Sequence, residues 1–309
     1  MKIHKPKFWN SKASIFVYIL YPFSLLIRAY TYLKRIFNVP HQFKIKVICV
    51  GNIYIGGTGK TPLAIYLAKG LQKIGKKTAI IKKNYVSQID EQKLIRSNFE
   101  NLITDSLRSK AIKSAEKKGF DLAILDDGFQ DFKINKNLNI LCFNQHQKIG
   151  NGLIIPSGPL RESLNSISDA KIAIINGIKD IEFEKLIYSY NQGISIYYSR
   201  YMPSNIKFFE NKKLLAFAGI GNPENFFNLL LSFNLDVRKK LSFPDHYKFN
   251  NNELTEIINE AKKNNYQIIT TEKDYFRIKN FNNYEIEYLK VELSIERGEE
   301  LIDNIKKYI

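Results

Sequence analysis

Apolar residues in this chain fall into short dense runs separated by polar stretches with helical spacing. "KVICVGNI" (46–53) is a buried-type run that ends on Gly and Asn. From Tyr54, "YIGGTGKTPLAIYLAKGLQKIGKK" turns into a helix with Leu63, Leu67 and Leu71 on one face. "TAII" (78–81) follows as a strand, and helix-like segments continue through Lys118. "FDLAILDD" (120–127), "LNILCF" (138–143) and "KIAIING" (171–177) are further strands. Continuous apolar runs alternating with helices predict an α/β fold, a mainly parallel sheet covered by helices on both faces.

Around residues 197–207, with Pro203 and Asn205, the pattern turns irregular. A second, smaller α/β unit is expected beyond it. Its strands are "KLLAFAGI" (213–220), "QIITT" (267–271) and "EIEYLKVEL" (285–293). Its helices cover Pro223–Ser232, 252–264 and 297–308. The reading therefore divides the chain into an N-terminal helix region (1–40), a larger domain (41–205) and a smaller C-terminal α/β domain (206–309). The last helix is free to pack back on the larger domain.

The N-terminal region differs from both. "ASIFVYILYPFSLLI" (13–27) has no charge, is interrupted by Pro22, and is followed by Arg28, Lys34 and Arg35. It is short of the ~18–20 apolar residues of a spanning helix. No small-x-small cleavage site follows it, as a signal peptide requires. An interfacial membrane helix fits, and the competing reading is a helix packed on the protein's own core.

Charge sharpens that contrast. The 309 residues carry a net charge of +17, and the first acidic residue is Asp90. Residues 1–89 hold sixteen Lys and Arg side chains and no acid. An anionic partner for this first third follows, such as a membrane surface or a phosphorylated substrate. Nucleic acid is disfavoured because the aromatic residues here sit in an apolar helix, away from any basic stacking platform. No obligate protein partner is inferred. Cys49 and Cys142 lie in buried-type strands and suit a reducing compartment better than a disulfide or zinc site.

"GGTGKT" (56–61) follows a strand and opens a helix, the context of a phosphate-binding loop. Backbone N–H groups of Gly56, Gly57, Thr58 and Gly59 would wrap phosphates. Lys60 would reach the terminal ones, and the Thr61 hydroxyl would hold Mg2+. The strict motif wants glycine where Tyr54 stands. "LAILDDGFQ" (122–130) supplies the second half: a buried strand that delivers Asp126 or Asp127 to the metal.

These segments, in this order, resemble one family. "VGNIYIGGTGKTP" (50–62), "DDGFQD" (126–131), "GNGLIIPSGPLRES" (150–163), "FAGIGNPENFF" (217–227), "FPDHY" (243–247) and "TTEKD" (270–274) are similar to those of the lipid A 4'-kinases. That family also lacks the first loop glycine. The resemblance implies a P-loop fold that phosphorylates an acylated disaccharide 1-phosphate with ATP and Mg2+. It also implies a location at the cytoplasmic face of the inner membrane. It assigns Asp90, in "IDEQ" (89–92) where the family has "GDEP", as catalytic base, with His246 as its partner. It sets Glu162 beside the metal residues, and Arg108, Gln130 and Arg161 near the substrate.

Overall fold

The computed structural model describes residues 6–11, 13–85, 88–245, 247–278 and 285–309. Among the described residues, eight strands form the larger sheet, and seven of them are parallel. They are β1 (Lys46–Gly51), β2 (Thr78–Lys83), β3 (Leu102–Asp105), β4 (Leu122–Asp126), β5 (Leu138–Asn144), β6 (Ile172–Asn176) and β7 (Ser195–Pro203). The eighth, β12 (Val291–Ile295), is antiparallel and pairs with β7. The order is β12-β7-β6-β5-β1-β4-β2-β3. Helices α2 (Lys60–Lys73), α3 (Ile89–Asn98), α4 (Arg108–Lys117) and α5 (Ile181–Tyr190) connect the strands. Two apolar cores lie on the two faces of this sheet. Leu63, Leu67 and Leu71 of α2 fill one, while Ile112 and Phe183 pack in the other. This explains why the central strands read as continuous apolar runs rather than alternating ones.

The second sheet is all parallel, ordered β11-β10-β8-β9. It contains β8 (Lys213–Ala218), β9 (Asp236–Ser242), β10 (Gln267–Thr271) and β11 (Ile286–Leu289), with α6 (Pro223–Ser232), α7 (Asn251–Asn264) and α8 (Glu272–Ile278) around it. Asn250 caps α7 reciprocally with Glu253, which fixes where that helix begins.

Three expectations change here. The irregular stretch beginning at Tyr197 is mostly strand: β7 runs to Pro203, paired on both sides. Proline is tolerated there because it stands at the strand's last residue. The expected strand 285–293 is two strands, broken at Lys290. Apolar residues change phase between Ile286 and the series Leu289, Val291, Leu293 and Ile295. A single flat strand cannot aim both sets at one core. The chain instead leaves the small sheet after Leu289 and joins the large one at Val291. Helix α9 (Gly298–Lys306) follows it, burying Leu301 and Ile305 against α2. Finally, β3 and β9 form where the sequence pattern predicts no strand. β3 is only four residues long, and β9 is a basic edge strand, "DVRKKLS", that alternates exposed and half-buried positions.

Helix α1 (Ile15–Phe37) is 23 residues long, ten residues beyond the uncharged run, and so is long and apolar enough to cross a membrane. Among the described residues, only Ile27 of it packs against a protein core. Val17 and Ser24 are its buried residues, while Phe16, Ile19, Phe23, Leu26 and Leu33 are at least half exposed. Ser24 Oγ donates to the Ile154 carbonyl at 2.8 Å and meets Ser157 Oγ at 2.8 Å. Trp9, just ahead of the helix, donates its indole N–H to the Pro156 carbonyl at 2.9 Å. Thus α1 is pinned to the loop 150–163 and, by an ion pair of Arg35 with Asp169, to the segment beyond it, and leaves most of its apolar surface outside.

Candidate active site

The C-terminal ends of β1, β4, β5 and β6 face one cleft of about 550 Å³, reached through the loop after β1, Asp127, Asn144 and Asn176, with loops from the small sheet forming its far wall. In an open parallel sheet this edge is where ligands bind. The loop 52–59 leaves β1 and is held from inside. Asn52, fully buried, donates its amide to the Tyr54 carbonyl (2.6 Å), the Gly56 carbonyl (3.3 Å) and Thr58 Oγ1 (3.0 Å). Arg161 N donates to the Ile53 carbonyl at 2.7 Å, and Ile55 N to the Pro159 carbonyl at 2.9 Å. The 150–163 segment therefore braces the phosphate loop as well as α1. Tyr54, at the missing glycine, is buried and bridges to Leu160. Gly59 has φ 90°, a conformation costly for other residues, and a Cβ there would lie 3.1 Å from the Tyr201 hydroxyl. It starts α2, whose N-terminus carries partial positive charge toward the cleft.

Most sequence-predicted residues meet around this loop. Thr61 Oγ1 donates to Asp126 Oδ2 at 2.9 Å. Lys60 Nζ lies 3.6 Å from Asp127 Oδ1, which also takes Arg161 Nη1 at 2.8 Å. Asp127 has φ 60°, so the left-handed turn after β4 swings its carboxylate away from that of Asp126. Burial pushes the Asp127 carboxyl up, but Lys60, Arg161 and Lys82 outweigh it and hold it at about 2. Arg108 donates to the Asp127 carbonyl at 2.7 Å and reaches Asp131 at 3.4 Å. Gln130 donates to the Asn52 carbonyl at 2.9 Å and accepts from Arg161 at 3.3 Å.

Magnesium was expected at Thr61, Asp126, Asp127 and Glu162. Asp126 is fully buried and its Oδ1 has no hydrogen-bond partner, which suits a hard cation beside the Thr61 hydroxyl. Among the described residues, however, no three His, Cys, Asp or Glu side chains gather into a ready-made cage. Asp127 is turned to Arg161. Glu162 is buried, and that burial pushes its carboxyl up.

Asp90 and Glu91 stand in the first turn of α3. Asp90 is 6% exposed, and its Oδ2 accepts from Arg277 Nη2 at 2.6 Å and Nε at 3.0 Å. Arg277 also reaches Asp274 and donates to the Gly219 carbonyl at 2.6 Å. Glu91, not Asp90, lines the cleft. It lies 2.7 Å from Lys82 Nζ and 3.0 Å from Lys273 Nζ. Burial raises its carboxyl, and the two lysines more than reverse this, to about 2. His246 lies outside the described residues. Its neighbour Asp245 lines the cleft, and Tyr247 Cβ would be 3.2 Å from a Cβ on Gly219.

Sequence reading missed two residues of this site, Asn52 and Lys82. Lys82 is 2% exposed and donates to Asp126 Oδ2 at 2.6 Å. Its signal was a lysine closing an apolar run at the sheet's C-terminal edge, where a strand covered on both faces can only turn it into the site.

Comparison with known proteins shows the family and the fold. The profile of the family Tetraacyldisaccharide-1-P 4'-kinase (LpxK) matches residues 16–309. A tetraacyldisaccharide 4'-kinase of Pelagibacter ubique is 43% identical over 99% of this chain and 98% of its own. One from Rickettsia canadensis is 34% identical over 99% and 98%. The crystal structure of LpxK from Aquifex aeolicus in complex with ATP covers 95% of this chain and 99% of its own. Its TM-score is 0.73 at 24% identity, and it shares the fold. This chain belongs to the tetraacyldisaccharide-1-P 4'-kinase family.

Proposed function

We propose that this protein is an ATP-dependent kinase that phosphorylates the 4'-hydroxyl of an acylated disaccharide 1-phosphate, in lipid A synthesis. The observation that carries this reading is the meeting, in one cleft, of the braced phosphate loop, Lys60, the Thr61–Asp126 pair and the acidic start of α3. The loop amides and Lys60 bind the phosphates of ATP and counter charge growing on the transferred phosphoryl. Thr61 and Asp126 would hold magnesium, which would supply charge neutralisation at the phosphate oxygens. Asp127, held by Arg161 and Lys60, orients the lysine. Arg108, Arg161 and Gln130 face the sugar and its substituents, and Glu162 supports them from behind.

Asp90 takes the proton of the attacking hydroxyl, supported by His246. Glu91 is the alternative, favoured by its place on the cleft wall, but two lysines and a carboxyl near 2 make it a poor proton acceptor. For Asp90 to act, Arg277 must yield part of its grip. Asp90→Asn should lower kcat by about 100-fold or more, with ATP binding intact, while Glu91→Gln should leave more activity. The reverse order would transfer the base role to Glu91.

The exposed apolar face of α1, with Arg28 and Lys34 on the same helix, rests on the anionic inner membrane at its cytoplasmic face, while Arg35 is paired with Asp169. It serves as a peripheral or single anchor. The larger unit then binds nucleotide, and the smaller one, 206–290, covers it. Incubation with labelled ATP and the disaccharide 1-phosphate should yield a bisphosphorylated lipid. ATP hydrolysis unaffected by that lipid, with no such product, would instead indicate an ATPase switch.

A further inference from the structure

Lys82 contacts neither nucleotide nor sugar in the mechanism above, yet its side chain is among the large ones that are fully buried. Its ammonium lies between two carboxylates from different elements: Asp126 Oδ2 at 2.6 Å, from the end of β4, and Glu91 Oε2 at 2.7 Å, from the first turn of α3. Asp126 Oδ2 also accepts the Thr61 hydroxyl at 2.9 Å. Asp126 Oδ1 remains fully buried with no partner.

Two carboxylates aimed at one point, Asp126 fully buried and Glu91 partly exposed on the cleft wall, repel unless something positive sits between them. Oxygen donors of this kind are those that hard divalent cations take. Phosphoryl-transfer sites often neutralise such a gap with a second metal ion. Here the gap is filled covalently by a side chain whose position is set by strand pairing: Ile81 faces Leu125, which carries Lys82 on to Asp126.

We propose that Lys82 is a built-in cation that occupies, between Asp126 and Glu91, the place of a second divalent ion and restricts the site to one metal. It is a positioning residue, acting through Asp126. The inference rests on the reading of Thr61 and Asp126 as metal holders, and its test separates the two.

The experiment titrates Mn2+ into the full chain with a non-hydrolysable ATP analogue and reads free Mn2+ by electron paramagnetic resonance. The wild-type protein should hold one ion, Lys82→Ala two, and Lys82→Ala/Glu91→Gln one, because the second carboxylate is gone. Equal counts for the wild type and Lys82→Ala overturn the proposal. Zero in the wild type and one in Lys82→Ala would remove the Thr61–Asp126 metal reading while keeping the difference of one that this proposal requires. Loss of a buried ammonium can unfold the chain, so melting of the two proteins is also compared in EDTA and in magnesium without nucleotide. Magnesium should raise the Tm of Lys82→Ala by about 5 °C more than that of the wild type. A Lys82→Ala chain that folds in neither buffer shows that an ion cannot replace the ammonium, and overturns the proposal.

Discussion

Glu91 and Asp127 are both held at about 2 by the cations around them, below the ordinary carboxyl values of 4.5 and 3.8. A carboxyl more acidic in the folded chain than in the unfolded one stabilises the fold above its unfolded pKa. That stability is lost as pH falls through the folded pKa. Acid should therefore weaken this protein between about pH 4.5 and pH 2, by on the order of 2 kcal/mol for each group. Melting curves across that range should show a steep fall in the wild type and a shallower one in Glu91→Gln. An unchanged slope would mean that the lysine contacts do not persist in solution. At this scale, legibility depended on whether one segment carries the whole meaning. Lys60 and Thr61 are fixed by neighbours in the same loop, so the sequence displays them. Lys82 acquires its role from Asp126, 44 positions on, through the register of β2 against β4. Asn52 acts through carbonyls whose directions exist only once the loop has folded.

Among the elements, the strongly apolar ones were the readable ones. The central strands and α2 declare themselves because burial on both faces, or on one stripe, demands an unbroken pattern. β9 hid because an edge strand keeps its lysines outward, and β3 because four residues hold too little pattern. The bounds of α6 are those expected from its proline at the first turn. Helix α1 is the opposite case. Its apolar residues are plain in the sequence, but their exposure is not, since a core helix would read the same way. Phe16→Ser with Leu26→Ser should leave the Tm within about 2 °C, because both side chains are more than half exposed. Binding to vesicles rich in anionic lipid should fall by about tenfold or more, as judged from the apolar area withdrawn. A large drop in Tm without loss of vesicle binding would place α1 against the protein instead.

Over the whole molecule, the two-sheet plan was legible, but the path between the sheets was not. Strand–helix alternation twice over predicts two α/β units. Nothing in a local window shows that β12 and α9 leave the second for the first. That return depends on β7 having a free edge and α2 a free face, which are properties of the assembled sheet. The chain thus crosses between the sheets at two places, after Pro203 and at Lys290, and the crossings are tied to each other. Ser204 N donates to the Lys290 carbonyl, and Lys290 N to Asn205 Oδ1, each at 2.9 Å. Asn205 also donates to the Tyr288 carbonyl at 2.9 Å. Asn205→Ala removes two of these bonds. It should raise KM for ATP several-fold with a smaller change in kcat, while the Tm moves by a few degrees at about 1 kcal/mol per bond.

The paired crossings bear on how the cleft can open. Two cords lying side by side behave as a strap hinge: they bend readily in one direction and resist sliding or twisting. The loops carrying Ile220–Asn222 and Asp245, which line the cleft opposite the phosphate loop, would therefore approach it on an arc. Any tilt about that strap pulls on α3 through Arg277 and Lys273. The angle of the small sheet would thus set the grip on Asp90, since Arg277 holds Asp90 from that sheet's helix.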